Sequence, residues 1–252
     1  MIEINGVSKR YGETTVVNDV SLSIPPGGIT SVIGANGAGK STLLSMVSRL
    51  LEPDSGSITV DGLDVARTRT EELATRLAVL RQENHTSVRL TVRELVSFGR
   101  FPHSGGRLTS TDHDIIDDAV EYFELTAFAD RPLETLSGGQ RQRAHVAMVL
   151  CQSTDYVLLD EPLNNLDMRH SVQIMRRLRR MADDYGKTVV MVVHDINFAA
   201  RYSDRIVAMR DGALVAHGAV TDVMTPDVLH TVFDLDIAVH DVGGRRIGDF
   251  YG

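Results

Sequence analysis

Residues 34–41 read GANGAGKS and match the pattern G-x-x-x-x-G-K-[ST], which is typical of a phosphate-binding loop. The preceding residues 29–33 (ITSVI) are short and β-branched, as in a buried strand, and apolar residues follow at helical spacing as far as Leu51. Glycines let the backbone curl so that its N–H groups face phosphate oxygens, and the helix N-terminus adds partial positive charge. The stretch predicts a nucleotide site, with Lys40 at the β- and γ-phosphates and the Ser41 hydroxyl on Mg²⁺.

The composition limits the classes of function open to the chain. Its 252 residues carry a formal net charge of −8, which argues against a nucleic-acid-binding protein that relies on phosphate contacts. The single cysteine, Cys151, excludes an internal disulfide and a cysteine-based zinc site, and its apolar neighbours favour a packed structural thiol. The chain has no signal segment and no apolar run near the ~20 residues that span a bilayer, so we expect a soluble cytosolic protein.

Two apolar strands further along the chain end in polar side chains. Residues 156–159 (YVLL) precede Asp160 and Glu161, and residues 189–193 (VVMVV) precede His194. A helical stretch separates these strands, which predicts an α/β fold with a mostly parallel sheet. Ligands of such sheets bind at the carboxyl ends of the strands, so we expect the phosphate loop, Asp160 and His194 to share one edge.

Residues 86–150 differ in character and predict an inserted helical subdomain. Residues 91–94 (TVRE) form a capping box at the start of a helical apolar pattern. Residues 136–140 read LSGGQ and lead into an apolar helix, so their backbone N–H groups and serine hydroxyl offer a second anion cradle. One nucleotide does not need two cradles from one chain, whereas two chains facing head to tail would use one cradle from each.

The motifs, taken in order, resemble those of the nucleotide-binding subunit of an ABC transporter. The similarity runs from about residue 1 to 225. It is carried by GANGAGKS, Gln82, LSGGQ, VLLDEP, Leu166-Asp167 and His194. The resemblance implies a P-loop NTPase core with a mostly parallel sheet, an N-terminal antiparallel β subdomain and an inserted α-helical subdomain. It also implies that two copies sandwich two ATP molecules, each between one copy's phosphate loop and the other's LSGGQ.

The resemblance divides a single ABC ATPase domain, residues 1–252, into parts. Residues 1–85 and 156–225 would form the nucleotide-binding core with its β subdomain. Residues 86–150 would form the helical subdomain that carries LSGGQ. The C-terminal tail, residues 226–252, receives no role from the sequence.

Roles for the motif residues follow from the resemblance. Asp160 would hold Mg²⁺ through water, Glu161 would be the general base, and His194 would contact the γ-phosphate. Gln82 would contact Mg²⁺ or the attacking water and signal toward the membrane partner, and Asp167 would cross the dimer interface. The implied catalytic residues are Glu161, His194 and Gln82, and the implied Mg²⁺ ligands are Ser41, Gln82 and Asp160. The implied nucleotide contacts are Tyr11, Gly34, Asn36, Gly37, Ala38, Gly39, Lys40, Ser41, Thr42, Ser137, Gly138, Gly139, Gln140 and Asp167.

Two features have an alternative explanation. Tyr11 lies in a polar stretch that by itself favours a surface aromatic in a turn, whereas the family places an aromatic there to stack on adenine. Residues 84–107 correspond to the family's docking segment for the permease. Four apolar side chains in this segment suit a protein groove or ordinary core packing equally well: Val88, Leu90, Val92 and Leu95.

The cargo is indicated by a closer resemblance. Residues 90–103 (LTVRELVSFGRFPH) and 161–174 (EPLNNLDMRHSVQI) resemble ferric-siderophore importer ATPases, with haem or cobalamin importers and a nucleic-acid-acting ABC ATPase as alternatives. LSGGQ and the lack of an N-K-x-D motif oppose a small-molecule kinase or a GTPase. We expect an ATP- and Mg²⁺-dependent ATPase subunit at the cytoplasmic face of a bacterial membrane. Its expected partners are a second copy, integral membrane permease subunits and, indirectly, a substrate-binding protein, but no nucleic acid.

Overall fold

A computed structural model describes residues 1–82, 88–164 and 166–250 of the chain. The larger of its two main sheets has six strands in the order β10-β9-β3-β8-β7-β6. Neighbouring strands pair in parallel, apart from the antiparallel β9 and β10, which confirms the predicted mostly parallel sheet. The strands are β3 (Gly28–Ile33), β6 (Leu77–Leu80), β7 (Tyr156–Asp160), β8 (Thr188–Val192), β9 (Arg205–Arg210) and β10 (Ala213–Ala219).

The second sheet is antiparallel and lies at the N-terminal end of the chain, as expected. Its strand order is β2-β1-β4-β5. The strands are β1 (Ile2–Tyr11), β2 (Thr14–Ile24), β4 (Ser55–Val60) and β5 (Leu63–Asp64). Buried side chains of β1, such as Ile4 and Val7, belong to one core cluster with Leu43 and Leu44 of the helix after the phosphate loop. This sheet therefore packs on the phosphate-loop side of the molecule.

Helices cover the parallel sheet and form the segment between β6 and β7. They are α1 (Lys40–Val47), α2 (Thr70–Ala74), α3 (Val92–Ser97), α4 (Phe101–Ser104), α5 (Ser110–Tyr122), α6 (Gly138–Cys151), α7 (Met168–Tyr185), α8 (Ile196–Tyr202), α9 (Val220–Val223) and α10 (Pro226–Phe233). A C-terminal hairpin of β11 (Ala238–Asp241) and β12 (Arg246–Asp249) completes the described chain. Among the described residues, no helix is both long enough and apolar enough to cross a membrane.

The helical segment begins with the capping box that the sequence predicts. Thr91 accepts a hydrogen bond from the Glu94 N–H, and the Glu94 carboxylate accepts one from the Thr91 N–H at 2.8 Å. Val92 and Leu95 follow as fully buried core residues, so of the two explanations for these side chains the structure supports core packing. Val88 is exposed, and the predicted docking residues 84–87 lie outside the described part of the chain.

The helical segment shares its core with one face of the parallel sheet. Phe123 and Leu125 belong to the same buried cluster as Val157 and Met191 of the central strands. Cys151 lies in this cluster with 1% of its surface exposed, and burial raises the pKa of its thiol to about 12. The prediction of a packed structural thiol is confirmed.

A buried ion pair fixes the start of α5 against the end of α6. Arg100 donates through Nε to the Asp112 carboxylate at 2.8 Å and through a guanidinium N–H to the Cys151 carbonyl at 2.9 Å. Both charged side chains are more than nine-tenths buried. Hydrogen bonds from the Thr109 N–H, from Arg100 and from the Thr109 hydroxyl lower the pKa of Asp112 to about 2.

We expect Asp112→Asn to destabilise the protein at neutral pH, because it leaves a buried guanidinium without its counter-charge. The ordinary pKa of the carboxyl group is 3.8, and the folded state lowers it to about 2. The stabilising contribution is therefore complete above about pH 4 and is lost as the pH falls through about 2. The difference in free energy of unfolding between wild type and variant, measured with urea, should shrink over that range.

Asp114→Asn, on the exposed face of α5, serves as the control. A difference for Asp112→Asn that does not vary with pH would contradict the assignment.

Candidate functional site

The predicted phosphate loop connects β3 to α1, and glycine is required at two of its positions. Gly34 and Gly39 have φ values of 149° and 91°. A Cβ atom at Gly34 would lie 2.3 Å from the Met209 carbonyl oxygen, and one at Gly39 would lie 2.4 Å from the Val16 carbonyl oxygen. No side chain caps the N-terminus of α1, so the N–H groups of its first turn are open to an anion.

Lys40 places its ammonium group inside this loop. Only 5% of the residue is exposed, and Nζ donates to the carbonyl oxygens of Gly34 and Ala35, both at 2.9 Å. Burial lowers the pKa of Lys40, while the charges of Glu161 and Asp160 oppose that shift. An anion entering the loop would meet a positive charge that is already oriented.

Two oxygen ligands for a hard cation lie side by side next to the loop. The Ser41 hydroxyl donates to the Asp160 carboxylate at 2.8 Å. Burial raises the pKa of Asp160, and the hydrogen bond from Ser41 and the charge of Lys40 act against that rise. Hydroxyl and carboxylate oxygens are the ligand types that Mg²⁺ takes in proteins, with water and phosphate oxygens completing the shell. No cluster of three or more His, Cys, Asp or Glu residues suited to a metal occurs in the described ranges.

Glu161 lies at the centre of a polar network at the end of β7. Its Oε2 accepts hydrogen bonds from Gln82 at 2.8 Å and from Asn164 at 3.2 Å, and its Oε1 lies 2.7 Å from His194 Nε2. Glu161 itself has a φ of 50°, in the left-handed region, and its side chain is 10% exposed. Two other segments, at Gln82 and His194, and the turn that carries Glu161 itself therefore hold the orientation of one carboxylate.

Sequence analysis missed Asn164, which belongs to this network. The residue lies three positions after Glu161, in the turn that follows β7. Its only signal is a side-chain amide in a turn beside a predicted site, and Asn is common in turns for reasons of local hydrogen bonding. The contact depends on the left-handed backbone at Glu161, which the sequence pattern does not reveal.

These groups line a cavity of about 470 Å³. It brings together residues 36–42 of the loop with Gln82, Glu161 and His194. Asp160, which the sequence predicts at the same edge, contacts the loop through Ser41. Tyr11 lies outside this cavity and lines a neighbouring cavity of about 380 Å³ together with Ser41 and Asp160. The Tyr11 side chain is exposed, which leaves its ring accessible.

The LSGGQ segment forms the start of α6, away from this cavity. Ser137 caps the helix through a capping box with Gln140, whose side-chain oxygen accepts from the Ser137 N–H at 3.0 Å. Among the described residues that line the 470 Å³ cavity, none comes from 137–140. Gly139 packs so closely on His170 that a Cβ would lie 3.0 Å from its ring. The predicted second anion cradle is therefore separate from the 470 Å³ cavity within one chain.

Asp167 is connected to the LSGGQ segment through His170, whose ring packs on Gly139. It caps α7 by accepting hydrogen bonds from the backbone N–H and the ring Nδ1 of His170, both at 2.8 Å. The hydrogen bond from the His170 N–H is the main cause that lowers the pKa of Asp167. Asp167 is exposed and does not line the 470 Å³ cavity.

Comparison with known proteins agrees with this geometry. The model of the ABC transporter family matches residues 17–164, more than half of the chain. The chain belongs to the ABC transporter family. This ABC cassette is 49% identical over 251 residues to the petrobactin import ATP-binding protein YclP of Bacillus subtilis (strain 168), with 100% of both chains covered. It is 53% identical over 239 residues to the petrobactin import ATP-binding protein FatE of Bacillus anthracis, covering 95% of this chain and 96% of FatE.

The fold of the cassette also matches a solved structure. The dimeric structure of a bacterial ABC transporter cassette aligns with a TM-score of 0.79 at 30% identity, covering 87% of this chain and 99% of that one. The expected ABC ATPase fold is confirmed.

The loop glycines provide a matched pair of variants. We expect Gly39→Ala to reduce the free energy of unfolding by about 1–3 kcal/mol more than Gly37→Ala, because overpacking a close contact costs that much. Both residues have positive φ, but a Cβ at Gly37 has no atom within 4 Å, whereas one at Gly39 clashes with the Val16 carbonyl. Urea unfolding of both variants measures the difference. Equal losses would mean that backbone conformation, and not the close approach, requires glycine at position 39.

Proposed function

We propose that this cassette is the ATP-binding and ATP-hydrolysing subunit of a ferric-siderophore importer. The observation that carries the ATPase assignment is the Glu161 carboxylate, held by Gln82 and His194 on the edge of the cavity that the phosphate loop lines. The relatives that are named as petrobactin import ATP-binding proteins cover nearly the whole chain, which supports the choice of cargo class. No side chain described here needs to contact that cargo, since a permease would carry it.

ATP would bind along the cavity edge. The loop N–H groups and Lys40 would hold the β- and γ-phosphates, because a buried ammonium and helix N-terminal N–H groups all favour an anion at this point. The exposed Tyr11 ring would stack on the adenine, with its cavity adjoining the phosphate loop at Ser41 and Thr42. Asn36 to Gly39 would supply the remaining loop contacts.

Mg²⁺ fits the donor set beside the loop. The adjacent oxygens of Ser41 and Asp160 would hold it, directly and through water, and the Gln82 side-chain oxygen is the further candidate ligand. When bound, the ion would neutralise charge that develops on the phosphate oxygens. Asp160, whose burial disfavours its charged form, would then have a cation as partner.

Hydrolysis would use Glu161 as the general base. The oxygen of a water molecule attacks the γ-phosphorus as the bond to the β–γ bridging oxygen breaks, and the water proton passes to the Glu161 carboxylate. His194 would contact the γ-phosphate with the same imidazole that faces Glu161 at 2.7 Å. Gln82 would orient the water through the amide that it also presents to Glu161.

A second copy of the chain would complete each site. LSGGQ and Asp167 do not line the described cavity. A nucleotide that contacts them would therefore be bound by the phosphate loop of another chain. A solved bacterial cassette of 30% identity is dimeric, which supports a head-to-tail pair. Within each copy we assign residues 1–85 and 156–225 to the nucleotide-binding core and 86–150 to the helical subdomain.

The permease would dock on the helical segment. Phe98 and Phe101 expose large apolar side chains there, and Val88, ten residues before Phe98, is exposed as well. Exposed apolar residues of this size favour a protein partner. The cassette would therefore act at the cytoplasmic face of a bacterial membrane, with a substrate-binding protein delivering cargo to the permease from the other side.

We expect Glu161→Gln to bind ATP normally and to lower turnover by about 10²–10⁴-fold, because it removes the base while keeping the shape of the side chain. The variant should accumulate as an ATP-bound dimer, measured by size-exclusion chromatography with light scattering. Glu121→Gln, on the exposed face of α5, is the matched control and should behave as wild type. A Glu161→Gln variant that stays monomeric at saturating ATP would contradict the proposed ATP-sandwich dimer.

We expect Lys40→Ala to weaken ATP binding at least about tenfold, because it removes a buried charge that faces the phosphates. Equilibrium binding of a fluorescent ATP analogue measures the change. Lys187→Ala, at the opposite end of β8, provides the control. Unchanged affinity in Lys40→Ala would contradict the assignment of the phosphate loop.

The cargo is tested by growth. A deletion strain supplied with iron only as ferric petrobactin should fail to grow and should recover with the wild-type gene but not with Glu161→Gln. Recovery by both genes would contradict the role of the base. The strain must also lack its other siderophore importers. If it then grows normally on the ferric siderophore but fails to grow on haem or cobalamin, the proposed cargo class is wrong. The ATPase assignment would still stand.

A further inference from the structure

The C-terminal hairpin, β11–β12, is bound to the first turn of α8 by a reciprocal pair of hydrogen bonds. The Asn197 side-chain amide donates through Nδ2 to the Gly248 carbonyl oxygen at 3.1 Å. The Gly248 N–H donates to Asn197 Oδ1 at 2.8 Å. One side chain thus satisfies both backbone groups of one residue, which fixes its orientation as well as its position.

The backbone at Gly248 also approaches the Ile196 side chain of α8 so closely that a Cβ atom there would force this side chain to shift. A Cβ atom there would lie 2.7 Å from Ile196 Cδ1 and 3.1 Å from Ile237 Cγ2. Gly248, Ile196 and Ile237 are all buried. The hairpin therefore contacts the start of α8 through a close-packed surface, and a displaced hairpin would change the position of this turn.

His194 lies immediately before that turn. Asp195 is the single residue between His194 and Ile196, and its carboxylate caps α8 by accepting from the N–H groups of Asn197 and Phe198. On the other side, β8 ends at Val192, and the Val193 N–H donates to the Val32 carbonyl at 3.2 Å. The His194 side chain is about half exposed, and its Nε2 contacts the Glu161 carboxylate. The backbone is therefore held on both sides of His194, which places the Cα atom from which the imidazole extends to Glu161.

We propose that Asn197 and Gly248 are positioning residues for the hydrolytic site. By fixing the first turn of α8, the hairpin holds the His194 imidazole against the Glu161 carboxylate. This gives a role to part of the C-terminal tail, for which the sequence indicates none. The proposal rests on the proposed function only for its effect on hydrolysis, because the link from Gly248 to His194 is a property of the fold.

The first test measures the position of the His194 ring without nucleotide. In the full-length protein, the imidazole NMR signals of His194 are assigned by their loss in His194→Ala. Asn197→Ala should move these signals, because it removes both hydrogen bonds to Gly248. Val242→Ala changes an exposed residue of the hairpin turn and should leave them in place. Unmoved His194 signals in a folded Asn197→Ala would overturn the proposal, whether or not the chain hydrolyses ATP.

The second test uses the close contact at Gly248. Gly248→Ala should move the His194 signals in the same way, since the new Cβ would displace the hairpin from Ile196. Ile196→Val removes the Cδ1 atom nearest to that Cβ, so the double variant should return the signals toward their wild-type positions. A general loss of stability would not be reversed by deleting a second buried methyl group. Failure of the double variant to restore the signals would count against the hairpin contact as the cause.

The third test asks whether Asn197 acts through His194. Asn197→Ala should lower kcat for ATP hydrolysis about tenfold, with KM and the ATP dissociation constant unchanged, because a misplaced catalytic group costs rate and not binding. In a His194→Ala background the same substitution should have no further effect, since residues acting through one group are not additive. Equal losses in both backgrounds would overturn the proposal. A wild-type chain that binds ATP but never hydrolyses it would overturn the proposed function instead, and the NMR result would stand.

Discussion

The parallel pairing of β3, β8 and β7 is the constraint on which the site depends. Val32 of β3 and Asp160 of β7 both pair with Val192 of β8, so the three strands end at one level. Whatever follows each strand must then meet at one edge of the sheet. The chain places a phosphate loop, a carboxylate and an imidazole at those three points. A shift of any strand by one residue would turn its side chains to the other face and separate the groups.

The edge places one buried positive charge beside two carboxylates. Lys40 loses water on burial, which lowers its pKa, and the carboxylates of Glu161 and Asp160 favour its charged form. Asp160 shows the converse, since burial raises its pKa and the charge of Lys40 opposes that rise. Each group thus stabilises the charged form of the other. A bound polyphosphate and its cation would add a second pair of opposite charges to the same region. This balance explains how charged residues can lie next to an apolar sheet without disrupting it.

Apolar packing and a few hydrogen bonds connect the remaining parts of the chain to that edge. The helical segment that carries LSGGQ shares a core with the central strands, and Gln142 of α6 donates to the Pro162 carbonyl at 3.0 Å, just after Glu161. The C-terminal hairpin contacts the helix that follows His194. Two elements distant from the phosphate loop in sequence therefore contact residues that lie one to three positions from Glu161 or His194. Close packing transmits small displacements across such contacts.

The sequence by itself determined the phosphate loop, the strands that precede Asp160 and His194, and the capping box at Thr91. These depend on local backbone geometry and on short-range periodicity, which neighbouring residues specify. The tertiary structure alone decided that Asn164 reaches Glu161, that Val92 and Leu95 are core residues, and that Gly248 binds Asn197. Each of these contacts needs a particular backbone conformation or a partner many residues away. The same local pattern is compatible with several such partners, and only the assembled sheet and its packed helices select one.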